Sequence, residues 1–399
     1  MITRIEIEGF RSIRDCVVDL SPFTVLVGQN GSGKTNLLEA VDLIGQLLGE
    51  SRMSLHAGGG RITWDDDLRP GGDRRGRIVD LFHRRGDGTV EDRLRVAVCF
   101  LQSDSLGLRH LRVDVTITRG DTLEAPHVAG EITLLPGAPA NWDLTDEQRE
   151  QIRANADAGH SQQRDTPATN WHRLAPDSSA ARQDPDLHDH LLIAGDAHNL
   201  SAVLGRLLTT EDGDTRAALL LRADAVALLP GLTDLRSVAD VDRGTWEMDL
   251  IYREAAPVPA RLASDGTLHV LAVLAAAHDS DGGLGHALNA CTTLMIEDVE
   301  NGLHPGQVKE LVRRLRRTTG TGTLQQIIVT THSPVVLAAV YPAHPGDVLF
   351  VDTVTRVGGG EAGSRHTRVR PMAESGERGA YVPAREARQY LETAQAGTR

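Results

Sequence analysis

Lysine is nearly absent from this chain. Lys34 and Lys309 are the only two, and arginine carries the rest of the positive charge. Such a bias reflects GC-rich codons, and it makes Lys34 stand out as a lysine that could not be an arginine. Cysteine is scarce too. Cys16, Cys99 and Cys291 lie far apart in largely apolar surroundings. That spacing excludes an obvious disulfide framework or a metal-type ligand set and leaves buried free thiols as the expectation. Basic charge is in deficit: 42 Lys and Arg against 55 Asp and Glu give a net charge of −13. Composition therefore offers no case for a surface dedicated to nucleic acid, although a local groove can be basic on an acidic protein. No apolar run approaches the length of a membrane span, and the opening MITRIEIEGF alternates like a strand rather than a signal peptide. A cytoplasmic protein without membrane contact is expected. Heptad stretches of useful length are missing, which excludes a long coiled-coil arm, and there is no internal repeat.

What is present begins with Val25–Asn36, VLVGQNGSGKTN. Apolar residues run up to Gly28, glycine-rich chain follows, and the periodic run Leu37, Leu38, Ala40, Val41, Ile44 and Leu47 comes after Lys34-Thr35. This is strand, loop and helix, and Gly28 to Thr35 has the G-x-x-x-x-G-K-[ST] spacing of a phosphate-binding loop. Gly28, Gly31 and Gly33 let the backbone curl so that its N–H groups converge on a polyphosphate. The helix adds its positive end. Lys34 supplies a point charge for the β- and γ-phosphates, and the Thr35 hydroxyl is placed to ligate Mg²⁺.

With 399 residues, 40% hydrophobic and 24% charged, the chain has room for a full core and a second lobe. Strands are expected from Ile2 to Ile7 and at Val17–Leu20. Ala57-Gly58-Gly59-Gly60 and the Arg/Asp/Gly-rich stretch 65–76 read as exposed loop. From Arg77 to Leu134 the period changes to two, with Leu94, Val96, Val98 and Phe100 and then Leu111, Val113, Val115 and Ile117, which predicts an attached antiparallel sheet. Residues 136–198 are weakly patterned and read as a mobile insertion with one short helix at 145–154. His160, His172, His188 and His190 follow no ligand spacing and are expected in solvated loop.

Regular structure returns with helices at 199–208 and 215–229 and strands at 238–241 and 246–252. A helix from Gly266, a buried strand 293–296, a helix after Pro305, a strand 326–330, a helix from Pro334 and a strand 348–351 complete the pattern. Alternation of this kind predicts a doubly wound α/β core. The tail from Gly358 reads as loop with one helix at 384–394.

Three further motifs stand in order. LASDGTL, residues 262–268, opens an apolar helix with serine and glycine at its N-terminus, an anion site or equally an ordinary N-cap and turn. TLMIEDVENGLHP, residues 293–305, is an apolar strand that delivers Glu297 and Asp298, a pair suited to a Mg-nucleotide site. IIVTTHSP, residues 327–334, ends a strand in His332, which suits a γ-phosphate contact or, alone, a structural role.

In that order the four motifs resemble the ABC-type ATPase heads of the SMC/RecF/OLD group, and in particular the standalone AAA ATPases related to RecF and to the ATPase half of OLD nucleases. The resemblance covers about residues 1–48 and 199–351. It implies an ABC-ATPase-head-like P-loop NTPase with a doubly wound core, an attached antiparallel β-sheet and a helical or irregular insertion. Residues 1–135 and 199–355 would form the two halves of the head, 136–198 the insertion and 356–399 a tail. Gly28, Gln29, Asn30, Gly31, Ser32, Gly33, Lys34, Thr35 and Asn36 would be Walker A. Glu297 would be the Walker B acid at Mg²⁺ with Thr35, and Asp298 the general base. Ser264, Asp265 and Gly266 would be the signature that meets the γ-phosphate of ATP held by a second subunit. Residues Asn301–His304 would be the D-loop and His332 the switch histidine, with Arg11 and Ser12 approaching the nucleotide. Gln102 is the one candidate for a Q-loop glutamine.

The acid pair departs from the usual order of aspartate then glutamate, and Val299 replaces the usual proline. Aspartate is one methylene shorter, so slow hydrolysis is expected. The implied function is a dimeric ATP-hydrolysing switch in DNA repair or phage defence, with DNA as a further candidate partner. Too little chain follows His332 for a nuclease domain, so an effector such as a nuclease would be a separate polypeptide. The rival reading is a nucleotide-gated scaffold that assembles on ATP with negligible turnover. A P-loop kinase or GTPase is disfavoured, because no Asn-Lys-x-Asp motif is present.

Overall fold

The structure is a computed structural model. It describes residues 1–49, 51–56, 59–64, 78–104, 107–120, 126–158, 170–208, 216–279, 292–320, 325–358, 361–377 and 379–396. Cys291, His160 and the 65–76 loop expected from sequence lie outside the described residues.

The chain opens with β1 (Ile2–Phe10), β2 (Ile13–Asp19), β3 (Phe23–Val27) and helix α1 (Lys34–Gly49). Strands β4 (Arg52–His56), β5 (Gly59–Thr63), β6 (Arg93–Asp104), β7 (Gly107–Thr118) and β8 (His127–Leu134) follow. Next come α2 (Asp146–Ala158), β9 (Asn170–Leu174), α3 (Ser178–Ala181), α4 (Leu200–Leu208) and α5 (Arg216–Leu228). The second half holds β10 (Leu232–Asp240), β11 (Thr245–Tyr252), β12 (Val258–Pro259), α6 (Asp265–His278), β13 (Thr292–Ile296), α7 (Pro305–Arg317), β14 (Gln325–Thr331) and α8 (Pro334–Val340). It closes with β15 (Val348–Gly358), β16 (Glu361–Pro371) and α9 (Ala384–Ala396).

Two large sheets organise these elements. One has the order β2-β1-β6-β7-β8-β5-β4 and is antiparallel throughout. The other has the order β16-β15-β3-β14-β13-β9. Its strands from β15 to β9 are parallel and β16 is an antiparallel edge. The central parallel strands β3, β13 and β14 are buried along almost their whole length because both of their faces are covered. Alternation divides them cleanly. Val25, Val27, Leu294, Ile296, Ile327 and Val329 enter the core under α4 to α8, whereas Leu26, Met295 and Ile328 join α1 and the antiparallel sheet.

Helix α1 is thus held between the two sheets. Leu37, Leu38, Val41, Ile44, Leu47 and Leu48 are all buried there. Each such side chain withdrawn from water contributes about 1.5–3 kcal/mol. The buried amide of Gln326 fastens the two sheets together. Its Nε2 donates to the carbonyls of Ile2 and Ser21 at 2.7 and 3.0 Å, and its Oε1 accepts from Ile2 N at 2.6 Å and Thr293 Oγ1 at 2.9 Å. Among the described residues no helix is long and apolar enough to cross a membrane.

Three sequence expectations need correction. The stretch 136–198 is not merely an insertion, because β9 pairs in parallel with β13 and forms an edge of the parallel sheet. His172 therefore sits on a strand opposite Leu294 rather than in solvated loop, and burial lowers its pKa. Gly59 and Gly60 belong to β5 rather than to a loop. The tail is not loop either: β16 pairs with β15 along almost its full length. Mixed-polarity strands such as β9 and β16 carry little periodicity of their own and are defined by the partner they pair with.

Helix α6 buries His269, whose Nε2 donates to Val299 O at 3.3 Å. Burial pulls its pKa down to about 4 from an ordinary 6.5, against the bond to Val299 and the charge of Asp298. The unfolded chain takes up a proton near pH 6.5 that the folded chain refuses until about pH 4. This contribution to stability is therefore complete above pH 6.5 and is lost progressively as pH falls from 6.5 to 4. Replacing His269→Gln is expected to flatten the urea midpoint across that window; an unchanged slope would reject the assignment.

Candidate phosphate-loop site

The loop between β3 and α1 is shaped by backbone bonds. Gly28 N donates to Thr331 O at 3.1 Å, Ser32 N to Gln29 O at 3.2 Å and Leu37 N to Gly33 O at 3.2 Å. Gln29, Asn30 and Gly31 are exposed, whereas Ser32 and Lys34 are buried. Gly33 takes a φ of +102°, and a Cβ there would lie 2.0 Å from Thr367 Oγ1. No side chain fits. Thr367 in turn donates to Ser32 O at 2.9 Å and meets Ser12 Oγ at 2.7 Å, and Asn36 Nδ2 donates to the same Ser12 oxygen at 2.5 Å. Strand β16 is therefore a wall of the loop.

Lys34 Nζ folds onto the loop itself and donates to Gly28 O at 2.7 Å and Gln29 O at 3.1 Å. Burial lowers its pKa, while Asp298, Glu300 and Glu297 pull the other way. Thr35 Oγ1 donates to Glu297 Oε2 at 2.9 Å, so the first turn of α1 and the end of β13 meet across 262 positions of sequence. Parallel pairing does this: β14 lies between β3 and β13, and all three end at the same edge.

Past Glu297 the chain turns. Asp298 has a left-handed φ of +44°, which aspartate tolerates better than most residues, and its N–H donates to Thr330 Oγ1 at 2.9 Å. Its side chain is 50% exposed, as is that of His332 at 49%. These two stand 3.8 Å apart, His332 Nδ1 to Asp298 Oδ1. Glu300 fixes the histidine. Its Oε1 accepts from the N–H groups of His332 and Ser333 at 2.9 and 3.1 Å and lies 3.1 Å from His332 Nδ1. Tyr390 of α9 donates from its hydroxyl to His332 O at 3.1 Å. Burial, with the charge of Glu300, pushes that phenol's pKa up.

Three of the positions singled out in the sequence lie away from the phosphate loop within this chain. Ser264 caps α6, accepting from Thr267 N at 3.2 Å, and Asp265 pairs with Arg182 at 2.5 Å. Gly266 meets the turn at Gly302, whose carbonyl oxygen would lie 2.1 Å from a Cβ. The Ser264–Gly266 stretch thus packs on the turn at Gly302 rather than against the phosphate loop. Arg11 turns to Glu39 of α1, with which it forms an ion pair, while its neighbour Ser12 does reach the loop. Gln102 is buried within β6, opposite Arg109 in the antiparallel sheet, so it has no place beside Glu297. Arg173 takes that place: its Nε donates to Glu297 Oε1 at 2.6 Å.

Sequence reading missed Glu300, Arg173, Thr367 and Tyr390. Glu300 carried a signal as the third carboxylate of one motif. The others come from β9, β16 and α9, and nothing local marks them.

The donors suit a nucleotide with a divalent cation. A hydroxyl and a carboxylate are the hard oxygen ligands that Mg²⁺ prefers. Among the described residues the buried Ser32 Oγ has no hydrogen-bond partner, and the loop leads into the N-terminus of α1, where anions are favoured. Asp298, Glu300 and His332 also bring one ligand atom each within 4.8 Å of one another.

A family model described as "AAA domain, putative AbiEii toxin, Type IV TA system" matches residues 138–338, and one described as "AAA ATPase domain" matches residues 1–66. The OLD nuclease of Thermus scotoductus is 43% identical over 44 residues, 11% of this chain and 8% of that protein. The DNA replication and repair protein RecF of Vibrio campbellii is 51% identical over 45 residues, 11% of this chain and 13% of that protein. RecF of Edwardsiella ictaluri is 47% identical over 98 residues, 22% of this chain and 26% of that protein. The matches thus span about a quarter or less of these relatives' own length. The Smc head domain of Pyrococcus yayanosii superposes with a TM-score of 0.53 at 11% identity, covering 100% of this chain and 99% of that one. A Smc head bound to the C-winged helix domain of ScpA gives 0.52 at 15%, covering 93% and 98%. The fold is that of an ABC-type ATPase head.

Removing the Glu300 acceptor strands the His332 N–H, whereas the Ser333 N–H also donates to Thr331 Oγ1 at 2.9 Å. Glu300→Ala is expected to cost about 1–3 kcal/mol of stability by urea unfolding, and Glu300→Gln, which keeps a carbonyl acceptor, is expected to recover most of it. Equal losses in both variants would mean that the carboxylate charge, not the acceptor, does the holding.

Proposed function

The chain belongs to the AAA-domain family whose model matches residues 138–338, a member of the SMC/RecF/OLD-like ATPases, and from that membership we propose that it is an ATP-binding and ATP-hydrolysing dimeric switch. The observation that carries the reading is the Thr35–Glu297 bond beside Lys34, which places a hydroxyl, a carboxylate and an ammonium at one helix N-terminus. Lys34 exchanges the carbonyls of Gly28 and Gln29 for β- and γ-phosphate oxygens. Thr35 and Glu297 hold the Mg²⁺, which when bound offsets the phosphate charge. Asp298, half exposed, takes the proton of the attacking water. His332, held by Glu300, bonds the γ-phosphate. Residues 1–135 and 199–355 supply the two halves of one head, with β9 completing its sheet.

The outward position of Ser264 and Asp265, with Gly266 buried behind them, supports the dimer. Asp265 is 69% exposed, and Leu262, just before the motif, is 70% exposed. In this reading the Ser264–Gly266 stretch meets ATP held by a second copy, and hydrolysis reopens the pair. The name of the RecF relatives supports a setting in DNA replication and repair, and that of the OLD nuclease a separate effector such as a nuclease; a setting in phage defence, and DNA as a further partner, belong to the same proposal. The second reading, a nucleotide-gated scaffold with negligible turnover, is favoured by Asp298, one methylene shorter than glutamate and set in a left-handed turn.

ATP turnover measured beside light-scattering mass separates the two. Lys34→Ala is expected to abolish nucleotide binding and ATP-dependent assembly under both readings. Asp298→Ala is expected to reduce turnover about 100-fold or more and to prolong an ATP-bound dimer. An unchanged dimer lifetime, with no turnover in the wild type, would leave the scaffold reading.

A further inference from the structure

Arg173 stands between two mostly buried carboxylates. Its Nε donates to Glu297 Oε1 at 2.6 Å, and its NH2 group also pairs with that oxygen. The same NH2 lies 3.6 Å from Glu39 Oε1. Glu297 is 13% exposed, Glu39 8% and Arg173 17%. Arg11 pairs with the other oxygen of Glu39. The four side chains form one line, Arg11–Glu39–Arg173–Glu297, in which charges alternate and cancel. Two carboxylates this withdrawn from water need such partners, because an unpaired buried charge is costly.

That line has no room for another two positive charges. Glu297 already spends Oε1 on Arg173 and Oε2 on the Thr35 hydroxyl. A divalent cation arriving at Glu297 would meet a guanidinium on one of its own ligand atoms, and at such separations like charges repel strongly. Glu39 offers Arg173 a second resting place within reach and without leaving the buried line.

We propose that Arg173 is a resident counter-cation, a positioning residue that holds Glu297 while no metal is bound and passes to Glu39 when a divalent cation takes Glu297. This rests on the reading of Glu297 as a metal ligand. Helix α1 carries Glu39 and strand β9 carries Arg173, so loading of the site is linked to the packing of β9 against α1.

The test uses Mn²⁺ with AMP-PNP, followed by electron paramagnetic resonance of free Mn²⁺, on the full chain. Arg173→Gln removes the competitor and is expected to bind Mn²⁺ about fivefold tighter or more, while melting at a lower temperature than the wild type when no cation is present. The melting gap is expected to close at saturating Mn²⁺. Glu39→Gln weakens the second resting place and is expected to bind Mn²⁺ about fivefold more weakly with Arg173 intact; it also keeps the test open should Arg173→Gln fail to fold. Equal or weaker Mn²⁺ binding by Arg173→Gln would overturn the proposal and make Arg173 a fixed support for Glu297. Wild-type protein that takes up no Mn²⁺ with AMP-PNP would overturn the ATPase reading as well, whereas normal wild-type uptake with an unchanged variant strikes at Arg173 alone.

Discussion

Helix α1 has little free surface, and that constraint governs the rest of the molecule. A helix pinned on one side can tilt or slide. One packed between a parallel and an antiparallel sheet keeps its axis, and with it the direction of its N-terminal N–H groups. Interiors of this density resist small displacements. The loop before Lys34 thus inherits its shape from two sheets rather than from its own few residues. Gln326 serves the same end, since its amide binds the first strand of one sheet to the centre of the other.

The site is assembled by the edge of the parallel sheet. Strands β3, β14 and β13 end together, so their C-terminal turns bring the phosphate loop, His332 and the Glu297–Glu300 turn within side-chain reach. Each turn is then held by a group from another one. Thr330 holds Asp298, Glu300 holds His332 and Thr35 meets Glu297. Few of these contacts are local, and together they make a polar cluster whose members orient one another.

Much of this was legible in the chain, and the reasons differ by element. The phosphate loop is readable because its glycines, lysine and threonine must sit at fixed offsets for local geometric reasons. The buried strands β13 and β14 are readable because both of their faces are apolar. Residue-by-residue expectations were weaker wherever a side chain's role depends on a distant partner. Arg173 looks like any arginine until β9 pairs beside β13, and Thr367 like any threonine until β16 folds back onto the loop. Arg11 was expected near the nucleotide, but a carboxylate on the buried side of α1 lies closer and captures it. Glu300 is the instructive middle case: its motif was in plain view, and only the burial of its side chain distinguishes it from an acidic turn residue.

Thr367 has a bearing on how the protein is made. It bonds the carbonyl of Ser32 across 335 positions of sequence and fills the space that Gly33 leaves. A nascent chain leaves the ribosome from its N-terminus. While the residues between Ser32 and Thr367 are being made the phosphate loop therefore stands without one of its walls, and contacts of such long sequence separation close late. A product stalled or truncated before Thr367 would carry the whole glycine-rich motif and still lack the wall that completes the loop.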